Sequence, residues 1–302
     1  VTERRPRDRK ISSAFPARRG SRRTTRMKRW ITPLAVAMAA SIAVTGLGTA
    51  AGAQTGPISP ADALKRQLVD DRGVTMSKVT TSRMGAEKHS SRSKTRTEFG
   101  KGTVTATDVR HIARSDEPQP PMRFLTFEGR TYCQGWICPA PEGKTWVLFH
   151  EDEKTRPFLN AGAIDLGDPA ALQAVLATTE TKRAGGVYDG TRTMIHQGTV
   201  TYARLYETSP AFRDQYGRKP PAGRDAKIKV SWRIWLGEDR LARRVRTSWT
   251  EWIVNGSGIR ISHVLDARLT GWGAETDIPV PSADETAGRD EWRDSQGRDS
   301  VS

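Results

Sequence analysis

Three runs between Ala226 and Leu269 constrain this chain more than anything else in its sequence. Ile228, Val230, Trp232, Ile234 and Leu236 fall on every second residue, as do Ile259, Ile261, His263, Leu265, Ala267 and Leu269. Arg260, Ser262, Asp266 and Arg268 lie between members of the last set. Such alternation marks antiparallel strands with one apolar face and one wet face. Turns at Gly237-Glu238-Asp239 and Asn255-Gly256-Ser257-Gly258 join the runs, so the stretch reads as a meander.

Most of the chain upstream follows the same pattern. Val74 to Ala113 alternates Thr and Ser with Val and Met, broken at Gly85 and at Gly100 to Gly102, and predicts three strands. Met122 to Pro139 gives two more across Glu128-Gly129-Arg130, and Gly143 to Phe149 a third. Helical signals are few. Ser59-Pro60 offers a cap with Pro at the first helical position, followed by Ala61, Leu64, Leu68 and Val69, and Gly73 closes the element. Asp168-Pro169 repeats that signature, with Leu172, Val175, Leu176 and Thr179 on one face and Gly185-Gly186 as the stop, a helix of about 15 residues. Val187 to Tyr206 reads as a turn at Asp189-Gly190 and a long strand, and Ser209-Pro210 to Gly217 as a helical turn. Too few helices remain to serve as crossovers, so the fold class is α+β on an antiparallel sheet.

The formal charge of +15 points first to a nucleic-acid or membrane-surface partner. Its distribution removes that reading. Residues 1–30 hold twelve Lys or Arg against Glu3 and Asp8, and residues 31–53 carry no charge, which leaves +5 to the other 249 residues. No nucleic-acid partner is expected. Met27-Lys28-Arg29-Trp30, the apolar run Ile31 to Leu47 and Ala51-Gly52-Ala53 together form a secretory signal, with the start at Met27 and cleavage before Gln54. A membrane anchor is the rival reading, disfavoured by the shortness of the run and by Pro33 and Gly46 within it. Ser21-Arg22-Arg23 hints at a twin-arginine signal, but polar residues follow it. The expected organisation is 1–53 as basic extension plus signal peptide, 54–286 as one ligand-binding domain, and 287–302 as a disordered polar tail.

Export makes the two cysteines readable. Cys133 and Cys138 would lie in an oxidising compartment, and an even pair there favours a disulfide. With no His between them, zinc is not expected, and no cofactor is implied. No Cys stands at the cleavage site for a lipid anchor. Enzyme signatures are missing: there is no G-x-S-x-G elbow, phosphate loop or H-E-x-x-H, and Ser257 sits in a turn. His196 and His263 read as core or cavity histidines. The expectation is a non-enzymatic protein.

Five of the nine Trp, at 232, 235, 249, 252 and 272, lie in or beside the final meander. Trp232 and Trp235 fall on opposite faces, as do Trp249 and Trp252. A sheet with large apolar groups on both faces is covered on both or lines a hollow, and with so few helices the hollow carries weight.

The export signal, the Asp-Pro-capped helix before a Tyr-Asp-Gly-Thr turn, the V-S-W-R-I-W-L-G-E-D-R-L-A-R-R-V run and the ending G-W-G-A-E-T-D-I-P-V-P-S-A-D-E resemble the LppX/LprG-type cell-envelope proteins of the LolA-like class. The resemblance spans roughly 58–286. It implies a curved antiparallel sheet, a half-open barrel, with a few helices as lid over an apolar cavity for acyl lipids or other hydrophobic ligands. Many members are lipoproteins; this chain lacks the acceptor Cys and would be released into the extracytoplasmic envelope. Trp232, Ile234, Ile261, His263 and Leu265 are expected to face the cavity, with Leu172, Val175 and Leu176 on the covering helix. Peripheral membrane contact fits this reading. An envelope sensor or protein-interaction module, with a protein partner, is the alternative.

Overall fold

The computed structural model describes residues 58–112, 121–217, 219–252 and 258–297. The basic extension and the signal, residues 1–53, lie outside them, as do 298–302 of the polar tail.

In chain order the elements are α1 (Pro60–Lys65), β1 (Arg72–Met84), β2 (Glu87–Gly100), β3 (Thr103–Ile112), β4 (Met122–Phe127), β5 (Arg130–Gln134) and β6 (Trp146–Glu151). A small hairpin follows, β7 (Asn160–Ala161) and β8 (Ile164–Asp165), then α2 (Pro169–Leu176), β9 (Thr179–Tyr188) and β10 (Thr191–Thr201). Three short helices, α3 (Tyr202–Thr208), α4 (Pro210–Tyr216) and α5 (Gly223–Ala226), lead into the meander β11 (Lys229–Gly237), β12 (Ala242–Trp252) and β13 (Arg260–Glu275). The described chain closes with β14 (Thr286–Ala287) and α6 (Arg289–Ser295).

Twelve strands form one sheet in the order β14-β6-β5-β4-β3-β2-β1-β13-β12-β11-β10-β9. Its end strands β14 and β9 do not pair with each other, so it stays open. Every ladder in it is antiparallel except the short β14–β6 contact. The centre is a seam between distant parts of the chain, where β1 meets β13 with Met76 opposite Leu269 and Lys78 opposite Ala267.

The predicted alternation sets the main core. Val230, Trp232, Ile234 and Leu236 of β11 share one face with Val245 of β12 and with Leu265, Ala267 and Leu269 of β13, all buried. Against that face pack Leu64 and Leu68 from the α1 region, Leu159 to Leu166 around the small hairpin, Leu172 and Val175 of α2, Leu205 of α3 and Phe212 of α4. On the opposite face of β3 to β6, Ala106, Leu125, Tyr132 and Trp146 form a second cluster closed by Ile278 from the extended segment after β13. Arg96 Nη2 donates to the Asp277 carbonyl at 3.0 Å, and the Ile278 amide donates to Glu98 Oε2 at 2.7 Å, which tie that segment down.

Several elements differ from the sequence reading, each for a local reason. Helix α2 keeps its Asp168 cap but has eight residues. The hydroxyls of Thr178 and Thr179 donate to the Val175 and Leu176 carbonyls and end it, and the chain enters β9 without waiting for Gly185-Gly186. The expected long strand stops at Thr201, whose hydroxyl caps α3 by accepting from the Arg204 amide. Within the segment expected as a disordered tail, residues 289–295 form α6, because Trp292 packs against Cys133, Cys138 and Val147.

Candidate functional site

The helices cover only part of the sheet, and a cleft of about 780 Å³ lies over the part they leave free. Its floor comes from cross-strand rows on the face that bears the helices. One row runs Val74, Thr97, Thr107, Thr126, Thr131 and His150 from β1 to β6. The next runs Met76, Thr95, Val109 and Phe124, and a third runs Lys78, Ser93 and His111. Thr is comfortable on a pleated surface and puts a hydroxyl and a methyl on the same face. The consequence is a floor that is apolar and hydrogen-bonding at once.

The roof and walls are the loop after β6, with Arg156, Pro157 and Phe158, together with Tyr206 of α3 and Arg213 and Gln215 of α4. Most charges here have partners. Arg156 pairs with Glu128 at 2.9 Å, and Arg213 Nη1 donates to the Tyr206 carbonyl at 2.8 Å. Asp152 Oδ1 accepts from the Lys154 amide at 2.8 Å. Other groups stand apart, Thr97 Oγ1 beneath the floor and Thr155 Oγ1 in the wall loop among them, both buried without a hydrogen-bond partner among the described residues. Thr95 Oγ1 is buried with no hydrogen-bond partner among the described residues, and the half-buried Lys78 ammonium has no ion pair there. Burial pushes the Lys78 pKa down. Burial, together with the Lys78 charge, pushes His111 down as well.

None of the eight residues expected from sequence to line a cavity lines this cleft. Trp232, Ile234, Leu265, Leu172 and Val175 are between 0% and 4% exposed in the main core, and Leu176 packs against it. The hollow expected on that side is filled by α1 to α4 and the small hairpin. Trp232 Nε1 donates to Thr178 Oγ1 at 3.1 Å, a bond that docks the end of α2 on the sheet. Trp235, on the other face, is covered by the Arg244 guanidinium 4.9 Å from its ring centre and by Tyr188. Arg244 in turn forms a two-armed pair with Asp266. Large aromatics on both faces are thus met by cover on both faces.

Ile261 and His263 lie near the start of β13. His263 stacks on Trp249 at 4.8 Å, places Nε2 2.9 Å from Glu251 Oε1 and places Nδ1 2.9 Å from Ser82 Oγ. Tyr202 donates to the other Glu251 oxygen at 3.2 Å. A carboxylate only accepts, so Nε2 carries the proton toward Glu251 and Nδ1 accepts from Ser82. Hydroxyl, imidazole and carboxylate in that order are the parts of a hydrolase triad. Acyl transfer also needs free amides beside the nucleophile to hold an oxyanion. Ser82 is opposite His89 on one side and His263 on the other, and its neighbours Thr81 and Arg83 are paired on both sides too. The ladders use those amides, and the array ties β1, β12, β13 and α3 together.

Cys133 and Cys138 form the expected disulfide, buried beside Val147 and Phe124. No group of His, Cys, Asp and Glu among the described residues is arranged to hold a metal ion. No described helix is long and apolar enough to cross a membrane.

No family model and no curated protein matches the chain. Among solved structures, LprF from Mycobacterium bovis is similar over 75% of this chain and 100% of its own, at 16% identity and a TM-score of 0.39. A DUF1329 family protein from Desulfovibrio piger covers 75% of this chain and 95% of its own, at 13% identity and a TM-score of 0.27. A LolA superfamily protein from Nitrosomonas europaea covers 72% and 94%, at 12% identity and a TM-score of 0.26. At TM-scores this low the likenesses decide neither a ligand nor a partner.

Proposed function

We propose that this chain is a non-catalytic binding protein of the extracytoplasmic envelope that takes a lipid or other amphiphilic ligand into the cleft over β1 to β6. One observation carries the reading: a cleft of about 780 Å³ with a threonine-rich floor and apolar surface from Met76, Val109 and Phe158. Small-molecule sites usually measure roughly 300–1,000 Å³ and combine apolar walls with a few polar groups. Each methylene moved from water to an apolar wall is worth about 0.8 kcal/mol, so an acyl chain needs little else to bind. Export through the segment ending at Ala53 belongs to the same proposal, because envelope lipids are met outside the cytoplasm.

The test is purification from a bacterial host, organic extraction and mass spectrometry. Wild-type protein is expected to yield lipid, and Val109→Trp, which fills the cleft from its floor, much less. Lipid-free wild-type protein that also fails to bind added decanol would overturn the reading.

A further inference from the structure

The floor of the cleft distinguishes between ligands. Lys78 projects from the middle of the central strand β1, and Thr95 lies on the same face of β2, two pairs further along the ladder opposite Met76. Thr95 is 2% exposed and its hydroxyl has no partner among the described residues. A buried hydroxyl without a partner costs about 1–3 kcal/mol, and a desolvated ammonium without a counter-ion costs more. Of the unpartnered buried hydroxyls, Thr95 is the one that both lines the cleft and shares the floor with Lys78.

The nearby charges do not supply the missing partner. Glu128 is engaged by Arg156, and Asp152 accepts from the Lys154 amide. Asp214 of α4 also lines the cleft, but it is exposed and makes no ion pair with Lys78 among the described residues. Beside Lys78 across the sheet stand Ser93 and then His111, neither of them an anion. Lys78, Lys154, Arg156 and Arg213 outnumber Asp152 and Asp214 in the lining, and on the floor itself Lys78 has a hydroxyl donor on the same face, while Met76 and Val109 continue that surface as apolar wall.

Resting on the cleft being a ligand site, we infer that Lys78 and Thr95 form an anion-accepting subsite, and that the cleft selects amphiphiles whose head group is a carboxylate or a phosphate. The head-group oxygens accept from Lys78 Nζ and Thr95 Oγ1. The ligand's apolar part lies against Met76, Val109 and Phe158. Charge-assisted hydrogen bonds of this kind are about twice as strong as neutral ones, and so the preference is for the ionised head.

Isothermal titration below the micellar range compares decanoate, decyl phosphate, decanol and inorganic phosphate on wild type, Lys78→Met, Lys78→Arg and Thr95→Val. Wild type is expected to bind decanoate and decyl phosphate about tenfold or more tightly than decanol. Lys78→Met is expected to bring both down to the decanol level, Lys78→Arg to keep most of the preference, and Thr95→Val to weaken the ionised ligands several-fold. Inorganic phosphate binding as tightly as decyl phosphate, and lost in Lys78→Met, would keep the anion subsite but make a free anion its source and overturn the amphiphile. Decanoate and decanol binding equally to wild type, or decanoate binding unchanged in both Lys78→Met and Thr95→Val, would overturn the subsite and leave the cleft as a lipid site. Binding of none of the four would overturn both. Lys78→Met removes an unpaired desolvated charge, so its melting temperature is expected to equal or exceed that of wild type, which keeps lost binding separate from lost folding.

Discussion

Asp165 shows how much one side chain can set the conditions for folding. It sits in the second strand of the small hairpin, 7% exposed, and accepts from the Gly167 amide at 2.9 Å. Burial, the dominant cause, pushes its carboxyl up to about 7, and the charge of Asp168 adds to it. A folded pKa above the unfolded one means that the native state holds the proton more tightly. The stability so gained is complete below the unfolded value of 3.8 and is lost as pH rises through about 7. Asp165→Asn keeps the shape without the charge and is expected to flatten denaturant-midpoint profiles between those limits; an unchanged slope would show that Asp165 is not the group responsible. The cost of the ionised form is at most about 4 kcal/mol at neutral pH. Gly198 makes a steric point at the same scale: an added Cβ would overlap the Thr178 carbonyl and approach Trp232. Gly198→Ala is expected to cost about 1–3 kcal/mol by chemical denaturation, because a backbone group of the α2–β9 junction would have to move.

Among the elements, the disulfide and α6 make the clearest contrast. The Cys133–Cys138 bridge closes a very short loop, so its entropic contribution is about 2 kcal/mol. Cys133→Ser is expected to lower the denaturation midpoint by that order and to leave the far-ultraviolet circular dichroism intact; loss of the whole fold would show that the bridge holds more than a hairpin. Helix α6 was not legible in the sequence. Its seven residues are polar apart from Trp292, and what orders them is the contact of that Trp with Phe149 at 6.1 Å and with the disulfide cluster. Trp292→Ala is therefore expected to unfold α6 alone, read as faster hydrogen exchange at 289–295 with β6 little changed. The boundaries of α2 and α3 were also hidden, because hydroxyls of Thr178, Thr179 and Thr201 decide them, and Thr suits strands as readily as helix ends.

For the whole molecule, periodicity carried the sheet and did not point to the cleft. The meander from β11 to β13, the strands of the first half, the Pro-capped starts of α1, α2 and α4 and the disulfide follow from spacing and caps. The cleft does not lie over the residues expected to line a hollow, since alternation tells which residues share a face but not which stretch of that face the helices will cover. Trp232, Ile234 and Leu265 have the same period as Thr95, Thr107 and Val109, yet the first group meets α2 and its neighbours and the second meets the cleft. One signal was available: Lys78 interrupts the face that Val74 and Met76 begin, on a strand otherwise suited to burial.

The seam between β1 and β13 has a consequence for how the molecule is assembled. Apart from the short β14–β6 contact, each half of the sheet is a run of neighbours in sequence, whereas this pairing joins residues 72–84 to 261–275. Contacts so far apart are expensive to close and form slowly. Until β13 arrives, β1 is a bare edge, able to recruit any passing strand, and it is the strand from which Lys78 projects. The order of events is thus written into the topology: the zip that shields the chain from its neighbours is the one that completes the central strand of the cleft floor, so the cleft exists only once the most distant pairing has closed.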